Sequence, residues 1–149
     1  MFYAYTYDDV LHSLVTSVKD AYGYTSGTVY DYKWGVPTET TDLNGQKMRY
    51  TYDDMGRPVT ITAPYEIESG QPFTIRYEYL PKRRSAHTIH YSQDGNIETY
   101  TFADSLMRAV QTKQTGVVWK DAAATKVSIV SGHAVIDAFG RNISAYYPV

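Results

Sequence analysis

The sequence predicts an all-β fold: an antiparallel meander of short strands and hairpins forming a curved repeat sheet. Three observations point there. The 149 residues include 16 Tyr against 4 Phe. Tyrosine joins a broad apolar ring to a polar tip and suits strands that are half buried. Aromatic and β-branched residues alternate with polar ones in short runs such as "RYTY" and "TVYDYK", which is the two-residue period of a strand. Those runs end repeatedly in Asp-x-x-Gly, a turn signature.

Helix has one serious candidate, residues 8–20, "DDVLHSLVTSVKD", where Val10, Leu11, Leu14, Val15 and Val18 have helical spacing. The same residues read as a strand ending at "DAYG", 20–23. The strand is preferred because the other Asp-x-x-Gly copies end strand-like runs. "TVYDYK" at 28–33 is a strand followed by Trp34-Gly35. "VPTETTD" leads to Asn44-Gly45, a hairpin signal because both positions accept positive φ. "QKMRYTY" is the next strand. "FTIRYEY" at 73–79 stops at Pro81 and the basic Lys82, Arg83 and Arg84. "AHTIHYS" turns through "QDGN" into "IETYTF". "LMRAVQTK" and "VVWK" sit either side of Gly116, "KVSIVS" and "HAVID" either side of Gly132, and "RNISAYY" closes the series.

The clearest phrase is "YTYDDMGRPVTIT" at 50–62. Tyr50 and Tyr52 share a strand face. Asp53 accepts a backbone bond two residues on, and Gly56 takes the left-handed conformation that reverses the chain. From Arg57 alternation resumes, with Arg57, Val59 and Ile61 on one face and Pro58, Thr60 and Thr62 on the other. Pro58 lacks an N–H and belongs at a strand start or edge. Weaker copies are "DAYG", "DLNG" at 42–45 and "DAFG" at 137–140, the last built on Asp137, Gly140 and Arg141. "DSLMR" keeps Asp104 and Arg108 but has Met107 in place of Gly. The spacing is irregular, so this is a loose repeat with variable loops.

Tyr-x-Tyr-Asp-x-x-Gly-Arg followed by a β run resembles the YD repeat of RHS proteins. "YTYDDMGRPVTIT" matches that pattern throughout, and "VIDAFGRNISAYYPV" matches it with Ile136 where the family usually has Tyr. "YDYKWGVPTETTDLNGQ" is similar to a repeat linker of the same family, especially of the shell-forming components of bacterial toxin complexes and SpvB-like proteins. The resemblance runs from about Tyr5 to Val149. It implies a β-sheet strip that spirals into a hollow shell around a toxic C-terminal polypeptide. On that basis residues 1–149 are one segment of a longer repeat array, secreted or at the cell surface as part of a larger bacterial protein. Its partners are neighbouring repeats and an enclosed toxin cargo. Tyr50, Tyr52, Asp53, Gly56, Arg57, Asp104, Arg108, Asp137, Gly140 and Arg141 are scaffold residues in that reading. The family's complete shells end in an aspartyl self-cleavage core, and Asp137 alone in its turn does not match one. A repeat strip needs neighbours, and "MFYAYTY" and "ISAYYPV" are aromatic rather than polar caps. The isolated chain is therefore expected to be marginal or self-associating.

Chemistry is not legible. The net charge of -2 argues against a nucleic-acid or membrane surface. Cysteine is absent, so there is no disulfide framework and no thiolate metal site. There is neither a run long enough for a transmembrane helix nor a signal peptide at the start. His87 and His90 form His-x-x-His, but on a strand the two rings point to opposite faces, so they read as surface histidines. His12 and His133 lack partners at ligand spacing. Lys82, Arg83 and Arg84 beside Pro81 read as a solvated loop. No nucleophile elbow or phosphate loop is present. Asp53-Asp54 reads as a turn cap with an exposed neighbour, and Asn142-Ile143-Ser144 is a chance glycosylation pattern. No metal, cofactor or catalytic residue is expected. One binding alternative stays open: Tyr30, Tyr32 and Trp34, with Tyr50 and Tyr52, as an exposed aromatic face that stacks on carbohydrate or a cell-surface partner. Its structural counterpart is stacking of these rings across neighbouring strands.

Overall fold

The computed structural model describes residues 2–120 and 123–148. The chain divides into two compact units, Met1–Ile75 and Arg76–Val149. In the first, six strands follow in hydrogen-bonded chain order, each antiparallel to the last. They are β1 (Ala4–Tyr7), β2 (Val15–Lys19), β3 (Thr25–Asp31), β4 (Val36–Thr41), β5 (Lys47–Tyr52) and β6 (Pro58–Thr62). The second continues from β7 (Ile75–Leu80) through β8 (Ser85–His90), β9 (Ile97–Ala103) and β10 (Ala109–Lys120) to β11 (Ala123–Val130). It adds a separate hairpin of β12 (Ala134–Ile136) and β13 (Asn142–Ala145). The all-β meander expected from the sequence is what forms.

Residues 8–20 contain no helix. A turn-rich loop leads into β2. The one α-helix among the described residues, α1 (Pro64–Glu68), lies where none was expected. Pro64 occupies the first turn, where its missing N–H costs nothing, and Glu66 places a carboxylate at the positive end. Thr74 closes this corner: its hydroxyl donates to Glu66 at 2.6 Å and accepts from the Ala63 amide at 2.7 Å.

Two kinds of hairpin alternate. β2–β3 and β4–β5 pair without interruption. The hairpins β5–β6, β9–β10 and β12–β13 each carry a register shift beside their turn. Thr51 pairs with Thr60 and Tyr52 with Pro58, so Val59 is the extra residue. In the same way Val110 and Ile143 are passed over in β10 and β13. Each is the second residue after an arginine, Arg57, Arg108 or Arg141. Such a bulge bends the strand and changes which residues share a face. The simple alternation expected after Arg57 is thereby corrected. Ile61 lies opposite Tyr50 and Pro58 opposite Tyr52, while the Thr51 and Thr60 hydroxyls meet at 2.6 Å. Pro58 does stand at a strand start.

There is very little core. Among the described residues Ile89 is the buried hydrophobic side chain, accompanied by the polar Asp8, Thr62 and His87. Exposed large apolar groups include Phe2, Tyr5, Val29, Trp119 and Tyr147.

Candidate functional site

The repeated feature is a five-residue aspartate cradle. At Asp53, one carboxylate oxygen accepts the amides of Met55 and Arg57, both at 2.9 Å. The Asp53 amide donates to the Arg57 carbonyl at 2.9 Å and the Gly56 amide to the Asp53 carbonyl at 3.0 Å. The same four bonds form around Asp20, Asp42, Asp104 and Asp137. Aspartate suits this place because its short carboxylate reaches amides two and four residues on. At "DLNG" Gly45 is left-handed but Asn44 is not, so the turn rests on Asp42 and not on paired positive φ values at Asn44-Gly45.

Three cradles are locked by an arginine. The second carboxylate oxygen of Asp53, Asp104 and Asp137 accepts Nε of Arg57, Arg108 and Arg141 at 2.8, 2.7 and 2.7 Å. The arginine's side-chain hydrogen bond is the first cause holding Asp53 and Asp104 below the usual carboxylate range. At Asp137 it is the Arg141 amide. Arg108 also reaches a second turn, donating Nη1 to the Asp137 carbonyl at 2.8 Å and Nη2 to that of Ile136 at 3.4 Å. It ties the "DSLMR" turn to the "DAFGR" turn. Met107 there has φ 62, so the backbone keeps the left-handed conformation that glycine holds elsewhere.

A sixth aspartate plays the same part in a longer loop. "YTYDD" occurs twice, at 5–9 and 50–54, a repetition visible in the sequence but masked there by the absence of a following Gly-Arg. Asp8, 3% exposed, accepts the amides of Val10, Leu11, Ser13 and Leu14. Burial works to raise its carboxyl, but these four bonds outweigh it and bring it down to about 2.

The aromatic candidates are tied into the sheet. Tyr30 donates its hydroxyl to the Val15 carbonyl at 3.0 Å, and Tyr52 to the Pro37 carbonyl at 2.7 Å. Tyr50 shares a 3.3 Å hydroxyl contact with Thr40. Trp34 lies against Gly56 so closely that a Cβ there would sit 2.9 Å from the indole. Lys33 stands 4.8 Å from the same ring. Tyr32 is 47% and Trp34 41% exposed.

The histidines divide. His90 is exposed, and His133 lies 6.1 Å from Tyr146. His87 corrects the surface reading, for it is 6% exposed. Its Nδ1 is 3.0 Å from Glu78 and its Nε2 3.1 Å from Glu98. Its ring stacks on Tyr100 at 4.0 Å and 5°. Sequence reasoning missed this because the two carboxylates come from different strands, Glu78 from β7 and Glu98 from β9. Lys82 and Arg83 lie in an exposed 3-10 turn and Arg84 follows it in the left-handed conformation. Asn142 begins the exposed β13.

A meander of aspartate-cradled hairpins defines the class of this protein. No family model matches the chain, and no curated protein matches it. Solved structures do. The crystal structure of TcdB2-TccC3 matches 98% of this chain and 10% of that chain, with a TM-score of 0.77 at 19% identity. The crystal structure of TcdB2-TccC3-Cdc42 matches 98% of this chain and 12% of that one, with a TM-score of 0.77 at 14% identity. A Photorhabdus luminescens Tc holotoxin pore matches over the same shares, at 0.76 and 14%. The likeness is one of fold. This chain spans about a tenth of the chains it matches.

Proposed function

We propose that this chain is a non-catalytic structural segment of a bacterial RHS-type shell that encloses or presents a toxin polypeptide. The observation that carries the reading is the recurrence of one cradle, Asp with its i+2 and i+4 amides, in a fold shared along the whole chain with about a tenth of TcdB2-TccC3. Tyr50, Tyr52, Asp53, Gly56, Arg57, Asp104, Arg108, Asp137, Gly140 and Arg141 are its scaffold. The carboxylates support this use. Asp8, Glu39, Asp53, Glu78, Asp104 and Asp137 are all displaced downward, toward the ionised form, by the amides and side-chain donors that bind them. A general acid needs the opposite displacement. The segment belongs to a larger exported or surface protein, flanked by further repeats. Sequencing outward from this reading frame, then expressing the whole product, tests the proposal. In-frame repeats on both sides and a trypsin-resistant internal polypeptide are expected. A product without further repeats overturns it.

A second use rests on Tyr32 and Trp34, whose rings remain partly open to solvent. Carbohydrate stacking there predicts glycan-array binding that Trp34→Ala abolishes with the fold intact. An array without binding removes this reading.

A further inference from the structure

We propose that Glu78, His87 and Glu98 form a proton-dependent latch that holds β7 and β9 to β8 while the imidazole carries both ring protons and slackens when it gives one up. Each ring nitrogen of buried His87 faces one carboxylate, Glu78 at 3.0 Å and Glu98 at 3.1 Å. An ionised carboxylate only accepts, and a neutral imidazole has one N–H to give. The neutral ring therefore satisfies one side and turns a lone pair toward a carboxylate on the other. The doubly protonated ring donates to both, and both bonds become charge-assisted. The two carboxylates approach opposite edges of the ring, so their negative charge is balanced across it rather than gathered at one point.

The surroundings favour a single geometry. Tyr100 of β9 pairs directly with His87 in the ladder and stacks flat on its ring. From β7, Arg76 donates to the other oxygen of Glu78 at 2.6 Å. The other ionisable group in register is Lys113 of β10, opposite Tyr100. Beside the latch stands Ile89 on the same face of β8, the buried hydrophobic side chain among the described residues. Loss of the latch acts where the second unit has its core.

The sign follows from linkage. Glu78 is held below the usual range, by the His87 hydrogen bond first and then, against burial, by Arg76. Its contribution is present above the ordinary glutamate value of about 4.3 and is lost only as pH falls through its lower folded value. For the ring the order follows from donor count: with both nitrogens protonated it donates to Glu78 and to Glu98, and after loss of one proton it donates to one of them. The latch is closed in the doubly protonated form and slack in the neutral one.

The test uses the full chain with 15N-labelled histidine, in solution or as a sedimented sample, with His87→Gln identifying the His87 signals. Two protonated ring nitrogens at pH 5.5 to 6, about half a unit to one unit below the ordinary histidine value of about 6.5, are expected. So is a loss of amide protection in β7–β9, corrected for intrinsic exchange, between about pH 6 and 9, with β3–β4 unchanged. Glu98→Gln, which keeps the volume but removes a charge, moves the loss of the second ring proton to lower pH. A single neutral tautomer at pH 5.5 to 6, or protection in β7–β9 that does not follow ring deprotonation, overturns the proposal.

Discussion

At the scale of the residue, the left-handed position of each turn is the point of greatest sensitivity. Gly56 has φ +75 and lies under Trp34. An alanine there meets the left-handed penalty of about 1–2 kcal/mol and also displaces the indole. Gly56→Ala is expected to lower the unfolding free energy by at least that amount, read as a fall in the denaturant midpoint. Met107 accepts the same penalty at φ 62. Met107→Gly is expected to stabilise by about 0.5–1 kcal/mol, because relief of the left-handed strain exceeds the entropy cost of glycine. Urea titration of both variants checks the pair, and a destabilised Met107→Gly would count against the role assigned to this backbone position. Asp8 adds a pH-dependent term. Its folded value of about 2 lies below the ordinary aspartate value, so its stabilisation is present above about 3.9 and fades as pH falls toward the folded value. Amide exchange in residues 10–14 should accelerate across that interval in the wild type and be fast throughout in Asp8→Asn.

At the scale of the element, the hairpin was the legible unit. Asp-x-x-Gly after an aromatic run located the turns because the cradle is local: the donors and acceptors of Asp53 lie within five residues. What lay beyond five residues was not legible. The bulges at Val59, Val110 and Ile143 depend on pairing across the hairpin, and no single residue type announces them. The contact between Arg108 and the next turn spans 29 residues. The His87 bridge draws its two carboxylates from separate strands. Helix α1 was missed because five residues give no periodicity to read. Arg108→Lys keeps a charge near Asp104 but loses the planar fork that serves two turns at once. Faster hydrogen exchange in β12 and β13, with β8 and β9 unaffected, is the expected outcome.

At the scale of the whole molecule, the surface is the dominant fact. The chain exposes 10739 Å², whereas a folded monomer of 16.9 kDa should expose roughly 7,700 Å². Secondary structure of this kind closes its backbone hydrogen bonds within each hairpin but leaves its apolar faces uncovered. That is the condition of a part that depends on adjoining parts. The chain by itself is expected to associate as concentration rises, which sedimentation velocity would show as species heavier than 16.9 kDa. On the shell reading proposed above, a product lengthened by further repeats should remain monodisperse and melt at higher temperature. Equal behaviour of the two would argue that the exposed faces are tolerated as they are.

The pairing of plain and bulged hairpins has a further consequence, best expressed as parity. Across the plain hairpin β4–β5, odd-numbered residues face odd-numbered ones: Thr41 meets Lys47 and Glu39 meets Arg49. Beyond the bulge of β5–β6 the rule inverts, and even Tyr50 meets odd Ile61. Each arginine-locked turn thus carries a one-bit inversion within its own hairpin, and β1–β2 and β3–β4 carry the same inversion without an arginine lock. Removing Val59 alone would undo the inversion while leaving Thr60 opposite Thr51 and Ile61 opposite Tyr50, so the inversion marks an inserted letter and not a change of side. An inserted letter that leaves every later partner in place is a change that one hairpin absorbs by itself.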